Sequence, residues 1–362
     1  MTQACFPPNG PKGRGAKSNE SGRFEAFTRH DFNDGWDRED DDPPRLKTEL
    51  QVEKARKIIT ENDSPDIGFN KSINPYRGCE HGCIYCFARP SHAYMGLSPG
   101  VDFETKLFFK PDGPRLLEKE LAHPGYRCER IQLGANTDPY QPIERKLRIT
   151  RGVLEVLERF NHPFSIITKN ALILRDLDLL ASMAERNLVR ATVSVTTLDR
   201  KLARAMEPRA ATPERRIDTL RRLAEAGVPV NVSVAPIIPG LNDHEIESIV
   251  ERAAAVGVRG GHFTVLRLPL EIKDLFREWL ETERPERAGR VMSLVRQMRG
   301  GKDYDADWGT RMRGEGPIAE LIAARFKAAK KRYGLERERM SLDVSRFRVP
   351  PRAGDQMDLF AL

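Results

Sequence analysis

The sequence predicts an α/β fold in which parallel strands alternate with helices. From about residue 66, short apolar runs rich in β-branched residues alternate with stretches of helical periodicity. Six strands separated by helices are typical of βαβ units, and right-handed crossovers curl such units into an open barrel or a doubly wound sheet. The predicted strands are residues 67–73, 130–134, 164–168, 191–196, 229–235 and 261–266.

Helical patterns fill the intervals between these strands and continue after the last one. Residues 65–270 form the predicted core, because the strand patterns stop after residue 268. Residues 271–341 are predicted to be a helical C-terminal extension, and residues 342–362 a flexible tail. The predicted helices are residues 150–160, 175–186, 213–226 and 243–256, followed by 271–280, 285–299 and 317–333.

The first part of the chain has the composition of a disordered segment. Residues 1–45 are rich in Gly, Pro, Ser, Asn and Asp, so they carry too little apolar surface to offset the entropy of the chain. A short helix is predicted at residues 48–60. Residues 1–64 are therefore expected to be mostly disordered.

Length, hydropathy and charge narrow the class of protein. The 362 residues allow one large domain or two ordinary ones. No stretch approaches the length of a membrane span, and the N-terminus lacks the apolar core of a secretory signal, so we expect a cytoplasmic protein without a membrane partner. The net charge is +7, and residues 321–352 alone carry ten basic and three acidic residues. Such a basic stretch indicates nucleic acid or, equally, a solvated helix face.

Three of the five cysteines lie within eight residues. Cys79, Cys83 and Cys86 have the spacing C-x3-C-x2-C and follow the first predicted strand. In a reducing compartment such a cluster more often holds metal than forms disulfides. Three thiolates on a four-iron cluster leave one iron open to a small molecule. The alternative is a zinc site completed by His81 or His92, although zinc sites usually use C-x2-C pairs.

The cysteine spacing, with Tyr85 directly before the third cysteine, resembles the signature of the radical S-adenosylmethionine (SAM) superfamily. The resemblance implies a partial (β/α)6 barrel of the TIM type. It also implies a [4Fe–4S] cluster on Cys79, Cys83 and Cys86, whose open iron chelates SAM. An electron donor would reduce the cluster, which would then cleave SAM to methionine and a 5′-deoxyadenosyl radical. Those cofactors would carry the chemistry, and the protein would position them.

Polar residues cluster where the predicted strands end, which is where parallel barrels place their sites. These segments, at residues 134–144, 168–170, 194–199 and 235–243, resemble the branch of the superfamily that includes spore photoproduct lyase, often called DNA repair photolyase-like. The resemblance covers roughly residues 65–270. It implies contacts to SAM, while an ordinary loop or packing role is an even alternative for each residue. The implied contacts are Tyr85, Phe87, Thr137, Asp138, Lys169, Ser194 and Ala235.

One residue departs from the pattern of that branch. In spore photoproduct lyase, the segment after the second strand is similar to Cys-Thr-Ser-Asp, and its cysteine returns a hydrogen to the product radical. This chain has Ala135 at the matching position. Cys128 precedes the strand and lies too far away to replace it. This departure leaves the expected cofactors unchanged but argues against the reaction of that lyase. The resemblance and the basic stretch favour a nucleic acid substrate, such as a damaged DNA base moved out of the stack. The alternatives are a peptide or small molecule, or a non-catalytic metal-binding scaffold.

The C-terminal tail contains a short segment with the chemistry of a docking peptide. It resembles the pentapeptide that binds the bacterial sliding clamp, in which apolar side chains enter a groove and a glutamine hydrogen-bonds at its rim. A chance pentamer, or docking on its own domain, is the alternative. The segment consists of Gln356, Met357, Asp358, Leu359 and Phe360.

Overall fold

The computed structural model describes residues 10–26, 28, 46–336 and 341–351. Within these ranges, no helix has the length and apolar character needed to cross a bilayer. The strands are β1 (Glu49–Val52), β2 (Ile59–Glu61), β3 (Lys71–Ile73), β4 (Tyr76–Arg77), β5 (Lys106–Phe109), β6 (Ile131–Leu133), β7 (Phe164–Thr168), β8 (Val189–Ser194), β9 (Val230–Ile237) and β10 (Gly260–Val265).

Helices connect the strands and follow the last of them. Short 3-10 helices cover Arg89–Met95, Ala171–Asp176 and Asp243–Glu245. The α-helices are α1 (Asp102–Thr105), α2 (Gly113–Leu121), α3 (Glu144–Leu147), α4 (Ile149–Arg159), α5 (Leu177–Glu185), α6 (Arg200–Met206), α7 (Pro213–Glu225), α8 (Ile246–Ala255), α9 (Ile272–Glu283), α10 (Pro285–Gln297) and α11 (Gly316–Arg332).

The central sheet has the strand order expected of a partial (β/α)6 barrel. Six parallel strands, β3, β6, β7, β8, β9 and β10, lie side by side in chain order, and β2 adds an antiparallel edge strand beside β3. Each of the six overlaps one of the predicted strands, which confirms the α/β fold. Because parallel strands are covered on both faces, their residues are almost continuously apolar. A separate three-stranded sheet has the order β1, β5, β4.

Two apolar clusters hold the molecule together. The larger lies between the sheet and its covering helices and includes Ile166, Val193 and Val232, which are fully buried. The second joins α9 and α10 to the segment that follows β4, through Trp279, Phe276 and Ile84. The Trp279 indole also donates a hydrogen bond to the Ala205 carbonyl at 3.1 Å. The helical C-terminal extension therefore packs directly on the core.

The structure differs from the prediction at the N-terminal side of the core. The helix predicted at residues 48–60 is wrong, because β1 and β2 lie there and pair with β5 and β3. Disorder was the expectation for residues 1–64, yet residues 10–26 are placed against the core, where Ala16 is fully buried. Polar and backbone contacts hold this segment, so hydrophobic periodicity does not reveal it.

The C-terminal part of the chain runs to the end of the sheet where the parallel strands begin. Phe347 packs against the rings of Tyr126 and His162 with centroids 5.5 and 5.4 Å away, and His162 precedes β7. The basic stretch reaches the same end. Its residue Lys330 lines a cavity of about 520 Å³ together with Asn231 and Arg259, at the starts of β9 and β10. Lys330 thus lies near the starts of the strands, whereas Arg325, earlier in the basic stretch, pairs with Glu247 in the first turn of α8.

A loop between α10 and α11 spans the two edges of the open sheet. On one side, the Val265 amide of β10 donates to the Met312 carbonyl at 3.0 Å. On the other, the Arg311 guanidinium forms a bidentate pair with Asp66, in the connection from β2 to β3, at 2.5 and 2.6 Å. Both side chains are mostly buried. Charge-assisted bidentate bonds of this kind are among the stronger polar contacts in proteins.

We expect Arg311→Ala to lower the free energy of unfolding by about 1–3 kcal/mol at neutral pH, as for a lost hydrogen-bonded charge pair. Urea denaturation measures the change. Arg313→Ala, at an exposed neighbouring position, should shift stability by less than about 0.5 kcal/mol. The Arg311 hydrogen bond holds the pKa of Asp66 below its usual 3.8. The pair's contribution should therefore be complete above pH 3.8 and decline as pH falls through the folded-state pKa. Equal stability of both variants would contradict this role.

Candidate functional site

The three clustered cysteines lie on one loop at the carboxyl end of β3. Cys79 and Cys83 are buried and Cys86 is partly buried. Neighbouring segments fix the loop, since the Cys79 amide donates to the Phe103 carbonyl and the Ile84 amide to the Met206 carbonyl, each at 3.0 Å. The loop is therefore a shaped part of the fold.

Gly82, at the centre of this loop, occupies a position that only glycine fits. Its φ angle is +66°, in the left-handed region that favours glycine. A Cβ atom there would also lie 2.6 Å from the carboxylate of Glu104. The spacing between Cys79 and Cys83 thus includes a turn that side chains at its centre would distort.

A buried ion pair holds the same loop from the outside. Arg89 and Glu104 are both fully buried, and their side chains meet at 2.5 Å. Arg89 also donates to the carbonyls of Cys83 at 2.9 Å and Gly82 at 3.2 Å. Its remaining N–H groups bond the carbonyls of Pro99 and Gly100. All five donors of this guanidinium are therefore used, as a buried arginine requires.

His81 links the loop to the ends of the next two strands. Its Nδ1 lies 3.3 Å from the Asp138 carboxylate, after β6, and its Nε2 lies 3.1 Å from the Asn170 side chain, after β7. Asp138 also accepts from the Lys169 amide at 2.8 Å and the Thr168 hydroxyl at 2.7 Å. Burial alone would raise the pKa of Asp138, but the His81 charge and these hydrogen bonds lower it to about 2. Asp138 is therefore ionised, and its carboxylate links the cysteine loop to the ends of β6 and β7.

Residues after β6 hold the start of the cysteine loop. The Asn74 side chain accepts from the Asn136 amide at 2.9 Å, and the Thr137 hydroxyl donates to the Tyr76 carbonyl at 2.9 Å. Gln141 accepts from the Glu80 amide at 2.9 Å. Thr137 and Asp138, both expected near SAM, thus have their polar groups engaged in positioning the loops of the site.

Tyr85 is anchored by a buried carboxylate. Its hydroxyl donates to Glu207, which also accepts from the Thr196 hydroxyl at 2.8 Å and pairs with Arg216. Arg216 further donates to the Ser194 carbonyl at 3.2 Å. The Tyr85 ring is consequently fixed between the cysteine loop and the end of β8.

Three other residues expected at SAM lie at or near the carboxyl ends of the neighbouring strands. Lys169 lies with its ammonium nitrogen 5.8 Å from the Tyr85 ring centre. Among the described residues, that nitrogen has no hydrogen-bond or ion-pair partner. Ser194 ends β8 and is buried, and the Ala235 carbonyl in β9 accepts from the Thr196 hydroxyl at 3.1 Å. Lys169, Ser194 and Ala235 thus come together at the carboxyl ends of β7, β8 and β9.

Phe87 lies at the rim of the site, beside an arginine. The ring is 44% exposed, and the guanidinium of Arg267, just after β10, lies 5.1 Å from its centre. The Arg267 Nε is buried and lacks a hydrogen-bond partner. A terminal guanidinium nitrogen donates to the Met312 sulfur at 3.4 Å. A cationic and aromatic pair is therefore available to a ligand at this rim.

The donor set suits an iron–sulfur cluster. Burial raises the pKa of all three thiols, to which the Asp138 charge adds at Cys79, while the Lys169 charge opposes the rise at Cys83 and Cys86. The thiolate forms therefore need additional positive charge, which iron would supply. Among the described residues, no three His, Cys, Asp or Glu side chains are grouped as ligands of a single ion. A cubane cluster takes each thiolate on a different iron.

The two histidines of the zinc alternative have other roles. His81 bridges Asp138 and Asn170. His92 hydrogen-bonds the Lys106 carbonyl at 2.9 Å and packs edge-on against Phe103, and burial lowers its pKa to about 4. Both rings are part of the buried support of the loop.

Ala135 and Cys128, the two positions outside the cysteine cluster that bear on hydrogen return to a product radical, lie at opposite ends of the sheet. Ala135 follows β6 on the side of the cysteines. Cys128 precedes β6, near Lys71 at the start of β3, and burial raises its pKa to about 11. The sequence therefore supplies no thiol at Ala135, and Cys128 does not reach that side.

Sequence reasoning missed the charged residues that support the site. These side chains carry no spacing in the sequence that sets them apart from surface charges. Four of them, Arg89, Glu104, Glu207 and Arg216, are buried in two ion pairs that support the cysteine loop and Tyr85. The fifth, Arg267, is partly buried and lies over the Phe87 ring.

Comparisons with known proteins agree with this geometry. A model of the Radical SAM superfamily matches residues 73–253, which include all three clustered cysteines. An uncharacterized protein of Mycobacterium tuberculosis is 36% identical over 231 residues, covering 63% of this chain and 68% of that protein. A radical SAM Nalpha-GlyT isomerase of Pseudomonas phage M6 is 26% identical over 198 residues, covering 52% of this chain and 38% of the isomerase.

Solved structures of spore photoproduct lyase share the fold. The lyase complexed with dinucleoside spore photoproduct aligns with a TM-score of 0.53 and 16% identity, over 78% of this chain and 79% of that chain. A mutant of the lyase aligns with the same TM-score and 17% identity, over 79% and 80%. The matched fold, the cysteine loop and the superfamily model lead to one conclusion. The chain belongs to the radical SAM superfamily, whose members are enzymes that use a [4Fe–4S] cluster and S-adenosylmethionine.

Proposed function

We propose that this enzyme binds a [4Fe–4S] cluster through Cys79, Cys83 and Cys86 and uses it to cleave SAM. The observation that carries the proposal is the loop itself, which presents three buried thiols at the carboxyl end of a parallel sheet. When bound, the cluster and SAM supply a 5′-deoxyadenosyl radical, and an electron donor must reduce the cluster. The protein's part is to hold, orient and shield these groups.

The residues around Tyr85 suit the binding of SAM. Lys169 offers a positive charge for a carboxylate, beside the thiols, and buried Ser194 lies at the next strand end. Ala235 and Tyr85 provide apolar surface against which a nucleoside can pack. Thr137 and Asp138 act indirectly, because their hydrogen bonds hold the loops that carry those residues. Exclusion of water follows from the burial of the loop.

Cys83→Ala should abolish iron binding and the formation of 5′-deoxyadenosine, because two thiolates cannot replace three around the cluster. Iron and sulfide analysis after anaerobic reconstitution measures the first effect. Product analysis after dithionite reduction with SAM measures the second. Cys128→Ala, at the other end of the sheet, should leave both unchanged. Full iron content in the Cys83 variant would contradict the ligand assignment.

The rim of the site favours a nucleic acid substrate. Arg267 and Phe87 together offer a cation for a phosphate and an exposed ring for stacking on a base. Within the basic stretch at residues 321–352, Lys330 lies at the other end of the sheet and Arg325 is paired with Glu247 of α8, so these two charges are not directed at this rim. We propose DNA as the substrate, and radical modification of a peptide or small molecule as the alternative. Since Ala135 provides no thiol, the outcome of the reaction on DNA differs from hydrogen return by a cysteine at that position.

We expect Arg267→Ala to weaken binding of a single-stranded oligonucleotide about tenfold, the effect of losing one charge-assisted contact. The slope of the logarithm of the association constant against the logarithm of the salt concentration should become less negative by about one, which is the contribution of one phosphate contact. Fluorescence anisotropy measures both. Lys331→Ala, in the exposed part of α11, is the matched control and should change binding little. If Lys331→Ala weakened binding more than Arg267→Ala, the oligonucleotide would bind on the basic stretch. If neither the wild-type protein nor the variants bound the oligonucleotide, a peptide or small molecule would be the favoured substrate class.

We also propose the bacterial sliding clamp as a partner. Its docking segment, residues 356–360, lies outside the described residues, so the proposal rests on sequence and on the position of the last described residue. Pro351 lies beside Phe160 and Arg159, at the end of the sheet away from the cysteines.

Deleting residues 356–362 should remove clamp binding without changing SAM cleavage, because the deleted apolar side chains supply the groove contacts. Surface plasmon resonance with immobilised clamp measures the first quantity and product analysis the second. Replacing Gln356 alone should weaken the interaction less. Unchanged clamp affinity in the deletion variant would mean that residues 356–360 are not a docking segment for the clamp.

A further inference from the structure

We infer that an N-terminal strap, residues 12–20, is part of the cluster site and positions the cysteine loop. This strap lies outside the segment matched by the superfamily model, which starts at residue 73. It crosses the outer side of the cysteine loop, opposite the strands. The inference rests on the proposed role of the three cysteines and adds residues that hold them in place.

The strap touches the loop at its centre. Gly15 approaches Gly82, between Cys79 and Cys83, so closely that a Cβ atom on Gly15 would overlap the Gly82 carbonyl oxygen. Gly15 has an ordinary backbone conformation, so the close approach alone accounts for glycine there. Contact of backbone with backbone leaves no flexible side chain to move aside. Any residue larger than glycine must therefore displace either the strap or the loop.

Hydrogen bonds to one carboxylate lock this contact. The amides of Gly15 and Ala16 donate to the two oxygens of Glu104, each at 2.9 Å. Arg14 is buried and donates to the Glu104 carbonyl and to the Leu46 carbonyl, each at 2.8 Å. The same Glu104 carboxylate pairs with Arg89 at 2.5 Å. The strap thus completes the surroundings of the buried ion pair that holds the Gly82 and Cys83 carbonyls.

The following residues anchor the strap to α1 and α9. Asn19 forms two side-chain bonds with Asp102, at 2.9 and 3.1 Å. Ser18 donates to Glu278 at 2.7 Å, and Lys17 pairs with Glu283 at 2.5 Å, both on α9. Because α9 packs on the cysteine segment through Ile84, the strap closes a ring of contacts around the loop.

Without the strap, the Glu104 carboxylate would lose two of its three hydrogen bonds and keep the one from Arg89. Such a group costs free energy until it gains water or moves. Either change would loosen Arg89 and, through it, the two carbonyls of the cysteine loop. We therefore regard Gly15, Arg14 and Glu104 as positioning residues, which act on the cluster through the loop.

Gly15→Ala tests the strap with the smallest possible side chain. The matched control is Gly68→Ala, because Gly68 also has an ordinary backbone conformation but no atom within 4 Å of its added Cβ. In the metal-free proteins, hydrogen–deuterium exchange should speed up in peptides covering residues 79–86 of the Gly15 variant alone. Peptides of β7 should be unchanged, since local opening leaves the sheet intact. After anaerobic reconstitution, loss of the cluster's visible absorption to an iron chelator should be about tenfold faster.

Glu104→Gln is the second variant, because it keeps the volume of the side chain while removing its charge and one acceptor oxygen. It should produce the same local exchange and the same faster cluster loss. If both variants match the wild-type protein in exchange and chelation rates, the strap has no positioning role. If the wild-type protein takes up no iron, the proposed function fails, whereas the exchange experiment still decides whether the strap holds the loop. Faster exchange throughout the sheet would also overturn the inference, since it would mean a general structural role.

Discussion

The buried pair between Arg89 and Glu104 is the interaction on which the cysteine loop depends. Removing two charges from water is costly, and such a pair is tolerated only where every donor and acceptor finds a partner. Arg89 meets this condition by donating to four backbone carbonyls besides Glu104, two of them within the cysteine loop. The same hydrogen bonds from Arg89 therefore satisfy the buried charge and fix the shape of the loop.

The sheet and the cysteine site were accessible from the sequence because their signals are local. Parallel strands covered on both faces read as short apolar runs, and each of the six runs overlaps an observed strand. Three cysteines within eight residues identify their own loop. The order of strands follows from right-handed connections between neighbours. Lys169, Ser194 and Ala235, which the resemblance implied as contacts to SAM, lie at or near the carboxyl ends of β7, β8 and β9 because of their places in the chain.

The parts that sequence reasoning missed depend on contacts between distant residues. Gly15 and Ala16 bond to Glu104 almost ninety positions later, and nothing in their own polar surroundings indicates a buried segment. Likewise, residues 48–60 form strands only because β5 and β3 offer edges to pair with. The basic stretch is visible in composition, but the placement of Lys330 near the starts of the strands follows from the packing of α11. Tertiary context decides each of these cases.

The return of the chain to the starts of the strands separates two faces of the molecule. The Arg348 amide bonds the Phe160 carbonyl at 3.0 Å, so the last described residues leave from the side opposite the cysteine loop. A protein that contacts residues 347–351 therefore approaches the sheet from the side away from the cysteine loop. Contacts there and at the cysteines are separated by the length of the parallel strands, so one need not obstruct the other.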